Sequence, residues 1–214
     1  MKLWSYWRSS CAYRVRIALG LKGLAFDYAA VHLLRDGGQQ HLPHFHALNP
    51  QSQVPVLELD DAGQTIRLVQ SMAIIEYLDE RFPEPPLLPA SAHGRAQVRA
   101  LAELVNSGIQ PLQNTSTFAE LRKHGVATEP WAHTFIAKGL AALERLAQPH
   151  AGQFLFGDSV SLADIYLVPQ LYNARRFGVS LDALPTLMQA EANAQALPAF
   201  RAALPEVQPD AEPG

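Results

Sequence analysis

Cysteine is nearly absent from this chain, with one in 214 residues. A single thiol cannot close an internal disulfide, which excludes a disulfide-stapled secreted scaffold and points to a reducing compartment, the cytoplasm. Charge is also sparse, at 17% of residues with a net of −3, and no basic patch or long run of one sign interrupts the sequence. Nucleic acid and anionic membrane surfaces, which are held by basic clusters, are therefore excluded as partners. Long apolar runs are missing as well: none approaches the roughly 18–20 residues that span a bilayer. The first residues read as a strand rather than as a charged-then-apolar leader. Hydrophobic residues nonetheless make up 48% of the chain, too many for a disordered protein. The length suits one large domain or two modest ones.

Strand and helix patterns alternate over the first eighty-odd residues. Lys2–Tyr6 reads as a strand, Ser10–Leu21 as a helix ended by Gly23, and Ala25–His32 as a second strand with Phe26, Tyr28 and Ala30 on one face. Arg35–Asn49 reads as loop with some helix. Val54–Leu59 and Thr65–Val69 read as a hairpin around Asp60-Asp61-Ala62-Gly63-Gln64. A helix follows with Ser71 as its N-cap and Ile74, Ile75, Leu78 and Phe82 as its apolar stripe, stopped by Pro83. The proline-rich stretch 84–89 is the linker. Beyond it strand patterns vanish: Ala92–His124, Pro130–Leu146, Ser161–Gly178 and Leu184–Ala194 read as helices, with a short one near Pro198–Ala203 and a frayed tail from Pro205. The expected architecture is an α/β domain, βαβ–ββα, over 1–83, and an all-α domain over 90–214.

Three places in the first domain offer groups to a small anion. Ser9-Ser10-Cys11 lies where the first strand becomes a helix, so two hydroxyls and a thiol meet the free N–H groups of a helix start. Val54-Pro55 opens a strand; proline is tolerated there only at a strand start or bulge, and a cis bond is expected, turning the Val54 N–H and C=O outward to pair with an extended peptide. Gln70-Ser71 begins the third helix, where a hydroxyl and first-turn N–H groups suit a carboxylate. Each has a purely structural reading, and their coincidence is what points to a ligand.

Other features carry less. Cys11 is followed by Arg14 rather than a second cysteine, so dithiol redox chemistry is excluded; the thiol itself could be a small buried hydrophobe. Ser161-Leu162-Ala163-Asp164 reads as a structural capping box. His41, His44 and His46 are irregularly spaced without cysteine or carboxylate company, and no metal is expected.

Along nearly its whole length the chain resembles the zeta class of the glutathione transferase family. The resemblance rests on SSCAYRVRIAL at Ser9–Leu19, GQQ at Gly38–Gln40, ALNPQSQVP at Ala47–Pro55, QSMAIIEYL at Gln70–Leu78, IQPLQN at Ile109–Asn114 and GDSVSLADIYLVPQ at Gly157–Gln170. It implies the glutathione transferase fold: a thioredoxin-like N-terminal domain that binds reduced glutathione, a helical domain that shapes the acceptor site, and a homodimer. Position by position, it implies that Ser9, Ser10, Cys11 and Arg14 surround the glutathione sulfur. Gln40, the Val54 backbone, Gln70 and Ser71 would hold the peptide, and Gln110, Asn114 and Ser116 would close the site from the helical domain.

The activity so implied is glutathione-dependent isomerisation of maleylacetoacetate to fumarylacetoacetate, with maleylpyruvate as the alternative substrate. Thiolate addition turns the cis double bond into a single bond that rotates, and expulsion of the thiolate leaves the trans isomer. Ser9 or Ser10 would supply the activating hydroxyl, with Ser10 favoured. Arg8 and Arg176 are the candidates for the carboxylates of the dicarboxylic keto acid substrate, since a guanidinium pairs with carboxylate through two bonds; Arg175 reads as a solvated helix end. A conjugating or dehalogenating transferase, a thiol oxidoreductase working through Cys11, and a non-catalytic binding module of the same fold are the competing readings.

Overall fold

The computed structural model describes residues 1–212. Two compact units divide the chain: one holds Met1–Pro85 with the segment from Pro198 onward, the other Pro86–Leu197.

The first unit is built on β1 (Lys2–Ser5), α1 (Ser10–Leu21), β2 (Asp27–Ala30), α2 (Pro43–His46), β3 (Val56–Asp61), β4 (Gln64–Val69) and α3 (Ser71–Arg81). The four strands form one sheet in the order β2-β1-β3-β4. β1 and β2 run parallel, joined by the α1 crossover, while β3 is antiparallel to both β1 and β4, with Leu3 opposite Tyr28 on one side and Leu57 on the other. This is the thioredoxin-like arrangement, in which one helix start follows directly on the end of the central strand. Tyr6, Trp7, Val31, Phe45, Val54 and Val56 form a buried cluster. Leu3, Ile17, Leu19, Leu57, Ile74, Ile75 and Leu78 are fully buried as well. The Lys22 ammonium ends α1 by bridging the Asp79 carboxylate and the Pro85 carbonyl, both at 2.6 Å.

Several boundaries shift from the sequence reading for identifiable reasons. β3 begins at Val56 rather than Val54 because Pro55 has no N–H for the ladder, and the Val54–Pro55 bond is cis, as expected. Strand β2 is shorter than Ala25–His32. Gln70, not Ser71, is the N-cap of α3; it lies in the left-handed region at φ 70° and its side chain makes no cap bond, so Ser71 is the first helical residue. Phe82 is the C-cap rather than part of the helix. The loop over 35–49 contains two short 3-10 turns and α2.

The second unit contains α4 (Ala92–Gly108), α5 (Thr115–Lys123), α6 (Thr128–Ala147), α7 (Leu162–Arg176) and α8 (Pro185–Gln195). The expected single helix over 92–124 is two helices separated by a 3-10 turn at Gln110–Gln113, because Pro111 cannot continue the α ladder. Ile109, at that break, packs into the notch left by Gly139 on α6, where a Cβ would collide with its side chain. Helix α7 is buried along most of its length and opens with a complete capping box. Asp164 accepts from the Ser161 N–H at 2.8 Å, from the Ser161 hydroxyl at 3.1 Å and from the Leu155 N–H at 2.8 Å. Burial pushes this carboxyl up to about 6 while its three donors pull it down, so it is ionised at neutral pH. Among the described residues no helix is long and apolar enough to cross a membrane.

The short helix expected near Pro198–Ala203 is present, but the segment was expected to belong to the helical domain and to fray from Pro205. Instead α9 (Pro198–Ala202) packs on α1, with Ala199 against Gly20 at a distance that leaves no room for a larger residue there. A 3-10 turn at Pro205–Val207 follows, and Ala203 and Pro205 are buried. Long-range partners, invisible in a local pattern, order this tail.

Replacing Asp164 with alanine strands two buried N–H donors and removes the cap. It should lower stability by about 2–4 kcal/mol, measured as a shift in the urea unfolding midpoint.

Candidate active site

The first unit gathers its candidate residues at the ends of β1 and α1, ahead of β3, and at the start of α3. Ser9 is the N-cap of α1, and its Oγ accepts the Ala12 N–H at 3.2 Å. That bond occupies a lone pair and leaves the hydroxyl hydrogen available as an oriented donor. Ser10 is the first helical residue, half-buried, and no side-chain bond engages it among the described residues. The N–H groups of Ser10 and Cys11 belong to the first turn and have no helical acceptor. Cys11 is half-buried and free, as a residue facing a site would be, rather than sunk in the core.

Arg14 lies fully buried one turn below. Its Nη1 is 3.8 Å from Cys11 Sγ and 3.4 Å from Ser71 Oγ, so one guanidinium touches the first turns of both α1 and α3. Its positive charge adds to the two helix dipoles whose N-termini meet there. Gln70, the N-cap of α3, makes no side-chain cap bond, and a helix start of this kind suits an anion. Gln70 is exposed, and its Nε2 donates to Gln51 Oε1 at 2.7 Å. Val54 is buried, with its backbone N–H and C=O outside the sheet ladder. Gln40 is buried; its Nε2 donates to the Leu33 carbonyl at 3.4 Å, whereas its Oε1 finds no partner among the described residues. Gly38, at φ 97°, lies so close to this amide that any Cβ would strike it, so glycine fixes where Gln40 points.

Arg8 is half-buried, with its guanidinium 5.0 Å from the Trp7 ring centre. In the second unit, Gln110 opens the 3-10 turn, Asn114 is the N-cap of α5 without a side-chain cap bond, and Ser116 is exposed in that helix's first turn. The turn is fixed by a buried amide pair, Gln113 Nε2 to Gln170 Oε1 at 2.6 Å, and by the Trp131 indole donating to the Leu112 carbonyl at 2.9 Å. Arg176 ends α7, exposed, 5.1 Å from the Phe177 ring centre. Arg175 is not simply solvated: its Nη1 donates to the buried Glu191 carboxylate at 2.6 Å. The hydrogen bond raises the Arg175 pKa further, leaving it a structural cation.

Three residues escaped the sequence reading. Arg16, buried on α1, donates from Nη2 to the Trp7 carbonyl at 2.9 Å, from Nη1 to Tyr6 O at 3.4 Å and Ser5 Oγ at 3.2 Å, and to the Ala203 carbonyl from both Nε and Nη2. Burial lowers its pKa to about 10, still well above neutrality. Asp210 accepts the Trp7 N–H at 3.1 Å and the Tyr28 hydroxyl at 2.6 Å. The signal for Arg16 was present: a cation inside the apolar run Val15–Leu19. Nothing local marks Asp210 or Tyr28.

Two family models match the chain, one in each half. Residues 3–86 match the family model "Glutathione S-transferase, N-terminal domain" and residues 132–208 the model "Glutathione S-transferase, C-terminal domain". The maleylacetoacetate isomerase of Pseudomonas aeruginosa is 49% identical, with 98% of each chain covered. A crystal structure of maleylacetoacetate isomerase from Anaeromyxobacter dehalogenans, with glutathione bound in its active site, is 55% identical with a TM-score of 0.91, over 99% of this chain and 97% of that one. A holo maleylpyruvate isomerase, described as a bacterial glutathione S-transferase of the zeta class, is 44% identical with a TM-score of 0.92, over 99% and 100%.

The cap geometry separates the two serines without any ligand. Ser9→Ala should lower the stability of the ligand-free chain by about 1 kcal/mol in urea unfolding. Ser10→Ala should stay within about 0.5 kcal/mol of the parent.

Proposed function

The chain belongs to the zeta class of the glutathione S-transferase family, and from that premise we propose that it is a glutathione-dependent cis–trans isomerase converting maleylacetoacetate to fumarylacetoacetate. The observation that carries the reading is the start of α1, where the Ser9 hydroxyl, anchored on the Ala12 N–H, stands beside two first-turn N–H groups without helical acceptors. Such a constellation stabilises a thiolate and offers little to a neutral ligand.

The groups around it fit glutathione. The uncapped start of α3, with the Ser71 hydroxyl and the Arg14 guanidinium beneath it, suits the γ-glutamyl carboxylate, and Gln70 lies at the same helix start. The Val54 backbone suits pairing with the extended cysteinyl segment. The unpartnered Gln40 Oε1 awaits a donor, which a peptide N–H supplies. By resemblance to the family, Gln110, Asn114 and Ser116 are further candidates for glutathione binding.

Glutathione, when bound, supplies the thiolate that adds to one alkene carbon and departs after rotation, so it is regenerated rather than consumed. The residues of this chain keep that thiolate populated. A thiol with a pKa of about 8.5 is only a few per cent ionised at neutral pH, and lowering the pKa to about 7 raises the ionised fraction more than tenfold. We assign the donated hydrogen bond to Ser9, whose Oγ is held by the Ala12 N–H, in preference to Ser10, favoured by sequence alone. Ser10 and Cys11 line the turn, and Arg14 supplies its positive field. Arg8 and Arg176 are assigned to the substrate carboxylates, by paired N–H donors.

Two further assignments complete the proposal. The resemblance to the family supports a homodimer, and the lone cysteine suits the reducing cytoplasm. Maleylpyruvate is the second substrate reading, favoured by the similarity to the holo maleylpyruvate isomerase.

The test follows loss of the enol absorbance of maleylacetoacetate and of maleylpyruvate in parallel, with and without glutathione, and identifies the products. The expected result is a fumaryl product formed over many turnovers per glutathione, with the larger kcat/KM for maleylacetoacetate. A larger kcat/KM for maleylpyruvate would transfer the assignment to that substrate. Stoichiometric loss of glutathione into an adduct would instead make the chain a conjugating transferase.

A further inference from the structure

The turn that presents Ser9 and Ser10 is held from behind by the chain's own C-terminal segment. The Trp7 peptide groups are fixed on both sides: the N–H donates to Asp210 at 3.1 Å, and the C=O accepts from the Arg16 guanidinium at 2.9 Å. The same guanidinium also grips the Ala203 carbonyl, at 3.2 Å from Nε and 3.1 Å from Nη2. The tail thus reaches the turn by two routes, one carboxylate and one carbonyl shared with Arg16.

Asp210 is itself oriented. Its other oxygen accepts the Tyr28 hydroxyl at 2.6 Å, from the strand beside β1. Burial, and then the Asp210 contact, push the Tyr28 pKa upward, so its hydroxyl stays a donor. Ala211 packs against the apolar cluster that contains Trp7, and Glu212 pairs with His32 and Arg35 just beyond β2. Only Arg8 separates Trp7 from Ser9, so a shift of the Trp7 peptide carries directly to the N-cap hydroxyl.

We propose that Asp210 is a positioning residue for the thiol-activating turn, setting the place of the Ser9 hydroxyl through the Trp7 peptide. The inference rests on the functional reading above, and it extends the machinery of the site to a tail 203 residues away in sequence from the peptide it holds. A hydroxyl displaced by a fraction of an ångström still binds glutathione through the rest of the site. The loss therefore falls on the chemical step.

The test compares Asp210→Ala with the parent, with Asp210→Asn, whose amide oxygen still accepts the Trp7 N–H, and with Val207→Ala, an exposed position in the same tail. Hydrogen exchange over residues 7–12 is read in the ligand-free chain, and kcat and KM are read in the isomerase assay. Asp210→Ala is expected to speed exchange over 7–12 by about tenfold. It is also expected to lower kcat by about tenfold while KM changes less than about twofold. Asp210→Asn should recover most of both, and Val207→Ala should match the parent.

Parental exchange over 7–12 in Asp210→Ala would overturn the proposal, as would faster exchange with parental kcat. If Asp210→Ala fails to fold, Tyr28→Phe replaces it, since it releases the carboxylate without opening a cavity. It should lower kcat about threefold, and parental kcat in that variant would overturn the proposal. A parent chain that isomerises neither maleyl acid would defeat the functional reading alone. The exchange measurement needs no substrate and would then decide the positioning claim, parental exchange overturning it and faster exchange upholding it.

Discussion

One buried cation organises the working end of the first unit. Arg16 sits inside α1, sealed from water, and spends its guanidinium on the Ser5 hydroxyl and on the carbonyls of Tyr6, Trp7 and Ala203. Lysine could not replace it, because the contacts need donors spread over Nε, Nη1 and Nη2 in a planar fork. Among the described residues no carboxylate pairs with it directly; burial lowers its pKa to about 10, while the nearby Asp210 charge raises it. Removing one set of partners would strand a desolvated charge, at a cost of several kcal/mol. The end of β1, the turn after it and the tail are consequently tied to one side chain. The turn owes its shape to that constraint more than to its own sequence.

Helix starts in this chain are closed to different degrees. At α7 the capping box is complete, and Asp164 also recruits a donor from Leu155, so that end is closed to any ligand. At α8 the closure is tertiary: Glu144, buried on α6, accepts the Thr186 and Leu187 N–H groups at 3.1 Å each. Helix α4 is closed by Ser91. By contrast α1 is half closed, with Ser9 satisfying Ala12 only, and α3 has no side-chain cap while the Arg14 guanidinium stands beneath its first residue. Helices α5 and α6 of the second unit also begin without a side-chain cap bond, so what sets α1 and α3 apart is the Arg14 guanidinium that touches both of their first turns. The proposed anion binding draws on the open starts of α1 and α3.

Much of the site was legible because its signals are local. The strand-to-helix passage through Ser9-Ser10-Cys11, the proline opening β3 and the Ser161–Asp164 box each follow from a few neighbouring residues, and the structure contains all three. What escaped depends on distance or on competition between neighbours. Gln70 takes the N-cap from Ser71 because the chain enters α3 through a left-handed residue. Pro111 splits what apolar periodicity presents as one helix. The tail looked frayed because its prolines and acids suit disorder, yet its carboxylates find partners in the turn after β1, on β2 and in the loop beyond. No window of sequence contains both Asp210 and Trp7.

The central claim is that the α1 start holds the cofactor's sulfur as a thiolate. Its most direct test is a pH titration of the ultraviolet thiolate absorbance of glutathione bound to the chain, alongside free glutathione and the Ser9→Ala variant. The account predicts a midpoint near 7 or below for the bound form, against about 8.5 or above for the free thiol, with Ser9→Ala moving it back toward the free value. A bound midpoint equal to that of free glutathione would contradict it, whatever the rate of isomerisation.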